Sequence, residues 1–239
     1  MGEISLPNGK RRAVEFLTLT KPHWEALTAE TQQAFRLIAG LGFIQHYCLA
    51  GGTGLALHLG HRFSVDLDFF SGQAEAVGPD EREQLRRKFD DPTLIITYDK
   101  DATFVANWRQ VGVSFFRVQQ YPQVEPVHIL EGVPVASIEE IGAMKLAAII
   151  DRGTRKDLVD LYFILQQVPL ERLFRVAANK YSRVRSFGAS ATRGLAYFVD
   201  AEALPMPQMI DHTPWSKMKR FLERQAMEAG RLHLEDLWK

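Results

Sequence analysis

The sequence predicts an α+β fold, in which a mixed β-sheet with flanking helices is followed by a helical C-terminal domain. Apolar runs of strand length recur between residues 46 and 118. A Gly51-Gly52 pair stands where the first of those runs turns into a helix. From Ser137 onward the apolar residues recur at helical spacing instead. A boundary is therefore expected near residue 135, with an α/β domain over 1–135 that includes an N-terminal helix, and a helical domain over 136–239.

Each element has its own signal. Thr28 to Gly40 reads as the N-terminal helix, with Phe35, Leu37, Ile38 and Leu41 as its apolar stripe and Gly40 or Gly42 ending it. His46–Ala50 is a short apolar strand that runs into Gly51-Gly52-Thr53. Leu55, Leu57 and Leu59 then sit in a short helix that Gly60 stops. Ser64–Phe70 alternates polar and apolar residues and reads as a strand. Asp80–Phe89 is a charged helix. Leu94–Tyr98, Thr103–Trp108 and Val111–Val118 form an antiparallel meander, with turns at Asp99-Lys100-Asp101 and Arg109-Gln110. Pro122 to Pro134 reads as a connector. Ser137-Ile138-Glu139-Glu140 is a capping-box sequence opening a helix to about Asp151. Further helices are expected over Lys156–Gln167, Leu170–Tyr181, Ala189–Glu202 and Pro214–Glu228, with Pro205 and Pro207 breaking the chain before the last.

Composition narrows the class. The chain has 239 residues, 46% of them hydrophobic, which is enough for a sizeable core and excludes intrinsic disorder. One cysteine, Cys48, forms no internal disulfide, and no Cys/His cluster has zinc-site spacing. The longest apolar runs, such as Leu146–Ile150, fall far short of the roughly 20 residues that span a bilayer. Residues 1–12 contain no apolar signal region. A soluble cytoplasmic protein without a membrane partner is expected. Lys+Arg and Asp+Glu balance at 29 each, yet Arg152–Arg193 carries nine basic residues against Asp157, Asp160 and Glu171. Such a segment is either an anion-binding surface or a set of solvated helix faces.

The chemistry concentrates in residues 49–70. Gly51 and Gly52 leave no side chain between backbone and ligand at a helix start, where N–H groups and the helix dipole suit phosphate oxygens. Thr53 adds a hydroxyl. Asp66 and Asp68 stand two apart on the predicted strand, so their carboxylates project from one face. Two adjacent carboxylates repel unless a cation lies between them, and magnesium is the usual one beside nucleotide phosphates. A Gly-Gly pair alone is most often a turn, and an Asp-x-Asp strand alone most often a solvated edge. Strand, Gly-Gly, helix, loop and acidic strand in that order within about twenty residues favour a site. Arg62 and Ser64, just before the acidic strand, either contact phosphate or hold the loop.

This segment resembles the nucleotidyltransferase fold, and specifically the AbiEii/AbiGii toxin family of type IV toxin–antitoxin and phage-abortive systems. Gly51, Gly52, Thr53, Arg62, Ser64, Asp66, Asp68 and Phe69 match its Gly-Gly-(Ser/Thr) turn and Arg-x-Ser-x-Asp-x-Asp-Phe strand in order. A second match runs from Glu139 to Arg152, bearing Lys145, and continues through Arg155-Lys156-Asp157-Leu158-Val159-Asp160-Leu161-Tyr162. The resemblance covers roughly residues 45 to 168.

The resemblance implies a sheet of nucleotidyltransferase type and a set of roles. Gly51, Gly52 and Thr53, with Arg62 and Ser64, would bind a nucleoside triphosphate. Asp66 and Asp68 would hold Mg2+ or Mn2+ and activate the attacking hydroxyl. Lys145 would meet the phosphates, and Asp157 or Asp160 would complete the site or orient Lys145 and Arg152. The implied reaction is transfer of a nucleoside monophosphate to an acceptor such as the 3′ end of a tRNA, with an antitoxin protein or antitoxin-controlled operon as partner. Other acceptors are a small molecule or a protein hydroxyl. One departure from the general pattern stands out. Such enzymes carry a third carboxylate on a neighbouring strand, where this chain reads Val111-Gly112-Val113-Ser114-Phe115-Phe116 and Ser114 takes the place. Asp99 and Asp101, the acids nearby, fall in a turn. The third role passes to the helical-domain acids, or transfer is slow, or the protein binds nucleotide without turnover.

Overall fold

A computed structural model describes residues 2–5 and 11–231. The chain divides after Ser137 into two compact units. The first unit is built on an eight-stranded mixed sheet in the order β3-β9-β10-β4-β5-β8-β7-β6. Its strands are β3 (Phe16–Thr18), β4 (Cys48–Ala50), β5 (Leu67–Ser71), β6 (Ile95–Lys100), β7 (Thr103–Trp108), β8 (Val111–Arg117), β9 (Val127–Leu130) and β10 (Val133–Ala136). A separate hairpin joins β1 (Gly2–Ser5) and β2 (Arg11–Val14). Three helices flank the large sheet: α1 (Ala29–Ala39), α2 (Gly51–Leu59) and α3 (Pro79–Lys88).

Period-two burial sets the sheet's two faces. Leu67 and Phe69 of β5, Val111, Val113 and Phe115 of β8, and Phe104, Ala106 and Trp108 of β7 bury themselves against Phe35 and Ile38 of α1 and Leu85 of α3. Phe69 and Phe115 stack there with centroids 4.8 Å apart. The intervening residues, Asp68 and Phe70 of β5 beside Ser114 and Phe116 of β8, occupy the opposite face in parallel register. Thr28 caps α1 by accepting the Thr31 N–H at 3.1 Å. Gly60, in the left-handed conformation, ends α2.

The turn between β7 and β8 is built without glycine. Arg109 and Gln110 both have positive φ, at 50° and 67°, which costs about 1 kcal/mol each. Asp91 holds the Arg109 guanidinium at 2.6 Å, that group lies over the Trp108 ring, and the Asn107 side chain accepts the Gln110 N–H at 3.1 Å. These contacts offset the strain.

The second unit is helical: α4 (Ile138–Asp151), α5 (Arg155–Ile164), α6 (Leu170–Lys180), α7 (Phe187–Leu195), α8 (Val199–Glu202) and α9 (Trp215–Arg231). Its α4 packs against α5, α6 and α7. Glu140 of α4, fully buried, accepts a 2.6 Å bond from Lys180 of α6.

Three expectations need correction, and one strand is added to them. The segment from Pro122 to Pro134 is no plain connector, because β9 and the start of β10 lie in it and form a hairpin. Glu131 and Gly132 supply its two positive-φ residues, and Pro126 and Pro134 hide the β-branched pattern around it. The acidic strand begins at Leu67 rather than Ser64, since the Ser64 N–H bonds the Ala26 carbonyl at 3.0 Å and takes 64–66 away from the sheet. The expected Ala189–Glu202 helix is two helices, α7 and α8, parted where Phe198 turns to meet Trp215 edge-on at 5.8 Å. An edge strand, β3, precedes the first expected element and pairs with β9 in parallel.

Candidate active site

Sequence dictates a tight corner where β4 hands over to α2. Ala50 ends the strand and Gly51 begins the helix with φ of 65°, a conformation that disfavours any side chain. Across the sheet, Ala50 pairs with Asp68 of β5, and Asp68 pairs on its other side with Ser114 of β8. Asp68 thus sits between two strands at the mouth of the helix, half-buried, while Asp66 is exposed one residue before β5.

Three glycines let side chains of this corner pack directly against the backbone. A Cβ on Gly51 would lie 3.0 Å from Asp68 Oδ2. One on Gly52 would lie 2.5 Å from Arg62 Nη2 and 3.1 Å from Ser64 Oγ. One on Gly112 would lie 2.5 Å from Asp66 Oδ1. Gly112 was not among the expected site residues, although a glycine inside a strand pattern is itself a signal of close approach. The Asp68 and Asp66 carboxylates therefore each pack closely against a glycine, Gly51 and Gly112.

The loop before β5 is tied down from within. Thr53 is fully buried, and its hydroxyl lies 2.9 Å from Ser64 Oγ and bonds the Asp66 carbonyl oxygen. Arg62 is buried and donates to the Phe63 carbonyl at 2.9 Å. Arg62 and Ser64 thus both lie beside Gly52 at the start of α2. Asp99 and Asp101 are turned elsewhere: Asp99 pairs with Arg82 at 2.5 Å and with Arg86, and Asp101 accepts from the Tyr98 hydroxyl at 3.0 Å. Among the described residues no group of three or more His, Cys, Asp or Glu side chains is placed to hold a metal ion. The chemistry of two carboxylates, Asp66 and Asp68, at the glycine start of a helix fits a hard cation whose remaining ligands are phosphate oxygens and water.

Within the second unit, Lys145, Asp157 and Asp160 come together as a buried cluster. Lys145 Nζ lies 2.8 Å from Asp157 Oδ1 and 2.6 Å from Asp160 Oδ2. Asp157 also accepts from Arg152 Nε at 2.9 Å and Thr154 Oγ1 at 2.5 Å. Asp157 touches both Lys145 and Arg152, as a residue that orients them must. Burial disfavours charge on Asp157, yet the Lys145 ammonium and the Arg152 and Thr154 hydrogen bonds outweigh it and bring its pKa down to about 2. Burial opposes the Lys145 charge too, and the Asp160 and Asp157 carboxylates reverse that and hold its pKa above the ordinary lysine value. Lys145 and Asp157 are therefore both ionised at neutral pH.

The basic segment is thinner than its residue count. Lys180 is spent on Glu140, Arg155 on Glu202 at 3.1 Å, Arg152 on Asp157 and Arg175 on Glu171 at 3.2 Å. Arg183, Arg185 and Arg193 are exposed. Tyr181 and Phe187 are buried and stack on each other at 4.8 Å, so they serve packing, whereas Tyr197 is exposed.

A mixed sheet presenting an Asp-x-Asp pair beside a Gly-Gly helix start defines the nucleotidyltransferase class. The model of the nucleotidyl transferase AbiEii toxin family, of type IV toxin–antitoxin systems, matches residues 36–130 and 118–236, and the chain belongs to that family. The uncharacterised protein aq_aa25 of Aquifex aeolicus (strain VF5) is 28% identical over 207 residues, which are 84% of this chain and 97% of that one. Among solved structures, a candidate nucleotidyltransferase from H. pylori shares the fold with a TM-score of 0.51 and 20% identity, over 88% of this chain and 98% of its own. The nucleotidyltransferase toxin MenT4 from Mycobacterium tuberculosis H37Rv does so with a TM-score of 0.51 and 15% identity, over 92% of this chain and 91% of its own. No described helix is long and apolar enough to cross a membrane.

Proposed function

We propose that the protein transfers a nucleoside monophosphate from a nucleoside triphosphate to an RNA 3′ end such as that of a tRNA, in the cytoplasm, as the toxin of a toxin–antitoxin pair. The observation that carries this reading is the pair Asp66 and Asp68, packed against Gly112 and Gly51, with Arg62 against Gly52 at the same helix start. The N–H groups and dipole at the start of α2 suit phosphate oxygens, and the Arg62 guanidinium packed against Gly52 adds positive charge there. The two carboxylates hold negative charge where Mg2+ or Mn2+ binds, and that cation, when present, neutralises the phosphates and lowers the pKa of the attacking hydroxyl. Asp68 is fixed by strand pairing on both sides, which sets the direction of its carboxylate before substrate arrives. In the helical unit, Asp157 and Asp160 hold Lys145 charged within a buried cluster. Arg183, Arg185 and Arg193 support an RNA backbone as the acceptor's anchor.

The test is incubation with Mg2+, labelled triphosphates and total RNA. Label on RNA, weakened by salt, is expected. Label on a small molecule or a protein hydroxyl would reassign the acceptor. A second reading, nucleotide binding without turnover, is favoured by Ser114 beside Asp68 where a third carboxylate would stand. Binding of triphosphate with no labelled product would select it.

A further inference from the structure

We infer that the Thr53 side chain is a positioning residue for Asp66 rather than a ligand of the nucleotide. Thr53 is fully buried, so its hydroxyl presents no surface to a substrate. Its contacts are spent on the polypeptide: Ser64 Oγ at 2.9 Å and the carbonyl oxygen of Asp66. A hydroxyl has one proton, and a carbonyl oxygen can only accept. Thr53 Oγ1 is the donor in both contacts, so its one proton is shared between the Asp66 carbonyl and Ser64 Oγ. None is left for a phosphate oxygen.

The position of this contact gives it a purpose. Asp66 precedes β5 and lacks the ladder bonds that fix Asp68. Three consecutive residues of its loop are instead pinned from outside. The Ser64 N–H bonds the Ala26 carbonyl at 3.0 Å, the Val65 carbonyl accepts from Thr31 Oγ1 at 3.5 Å, and the Asp66 carbonyl accepts from Thr53. Only the last of these acts on the aspartate itself. It sets the backbone of Asp66 relative to α2, the same helix whose first N–H groups face the phosphates in the proposed reaction. One side chain thereby fixes the distance between the carboxylate that holds the cation and the backbone that holds the polyphosphate. The inference rests on the reading of Asp66 as a cation-binding group.

The experiment compares Thr53→Val and Thr53→Ser, with Asp66→Asn as reference. Three quantities are read: nucleotide affinity without metal, Mn2+ affinity by electron paramagnetic resonance with a non-hydrolysable triphosphate, and steady-state transfer. In Thr53→Val, metal-free nucleotide affinity is expected to stay within about twofold. Mn2+ affinity should fall about tenfold, and kcat about ten- to a hundredfold with KM for the triphosphate little changed. Thr53→Ser should restore all three. Loss of metal-free nucleotide affinity with kcat and Mn2+ affinity preserved would make the hydroxyl a phosphate ligand and overturn the inference, as would wild-type values throughout. Wild-type Mn2+ binding by Asp66→Asn would instead overturn the reading of Asp66. If no transfer is measurable, the two binding arms still decide. Should Thr53→Val fail to fold, Thr53→Ala is read by the same measurements.

Discussion

Asp68 and Ser114 stand side by side on β5 and β8, paired in parallel register on the sheet face opposite the core. A carboxylate in place of the serine would neighbour Asp68 directly, and two such charges repel without a cation between them. Ser114→Asp is therefore expected to lower the thermal midpoint in EDTA and to recover it with Mg2+, while tightening Mn2+ binding about tenfold. A midpoint indifferent to Mg2+ would show that no cation binds beside Asp68.

Asp66→Asn combined with Asp68→Asn removes both charges and keeps both shapes. Transfer should fall by about a thousandfold or more, in keeping with the several kcal/mol such cation sites supply. Far-ultraviolet circular dichroism and the thermal midpoint should remain close to wild type. Transfer at the wild-type rate would dismiss both residues from the chemistry.

Gly112→Ala probes the clearance around Asp66 alone. Its Cβ would come within 2.5 Å of Asp66 Oδ1, forcing the carboxylate aside. Turnover should drop about tenfold or more while the fold persists. Gly72→Ala, which meets nothing within 4 Å, is the matched control and should change turnover little.

The buried Lys145–Asp157–Asp160 cluster makes the protein sensitive to acid. Asp157 has a pKa lowered to about 2 in the fold against about 3.9 in an unfolded chain. Its contribution, about 2 kcal/mol, is complete above the unfolded value and is lost as pH falls from about 4 to about 2. Lys145, whose pKa is raised, behaves oppositely and withdraws its contribution only at strongly alkaline pH. Urea unfolding followed across the acid range should show the first loss, and Asp157→Asn should flatten it. Lys145→Met, which removes the ammonium shared by two buried carboxylates, should cost about 3–5 kcal/mol at neutral pH.

Much of this was legible in the residues. Leu67, Phe69, Val113 and Phe115 announce the sheet by alternation, and Gly51-Gly52 with Asp66 and Asp68 announce the site, because these features are local in sequence. The β9–β10 hairpin escaped reading since Pro126 and Pro134 are ordinarily marks of a loop, and only pairing with β4 reveals Val135 as a central-strand residue. The bracing role of Thr53 was hidden for a different reason. Its hydroxyl acts on a carbonyl thirteen residues away, and nothing in a Gly-Gly-Thr turn tells whether a side chain faces inward or outward. Tyr181 and Phe187 carried the same ambiguity, which their mutual stacking resolves.

The far edge of the sheet has a practical bearing. Strand β6 ends the ladder with Ile95, Ile96 and Tyr98 all exposed, an invitation to lateral growth by another chain. The register irregularity between Ile96 and Tyr98 breaks that invitation into two short stretches. A change that ironed out this kink would lengthen the sticky run, so the kink acts as a safeguard against fibre-like stacking at high concentration.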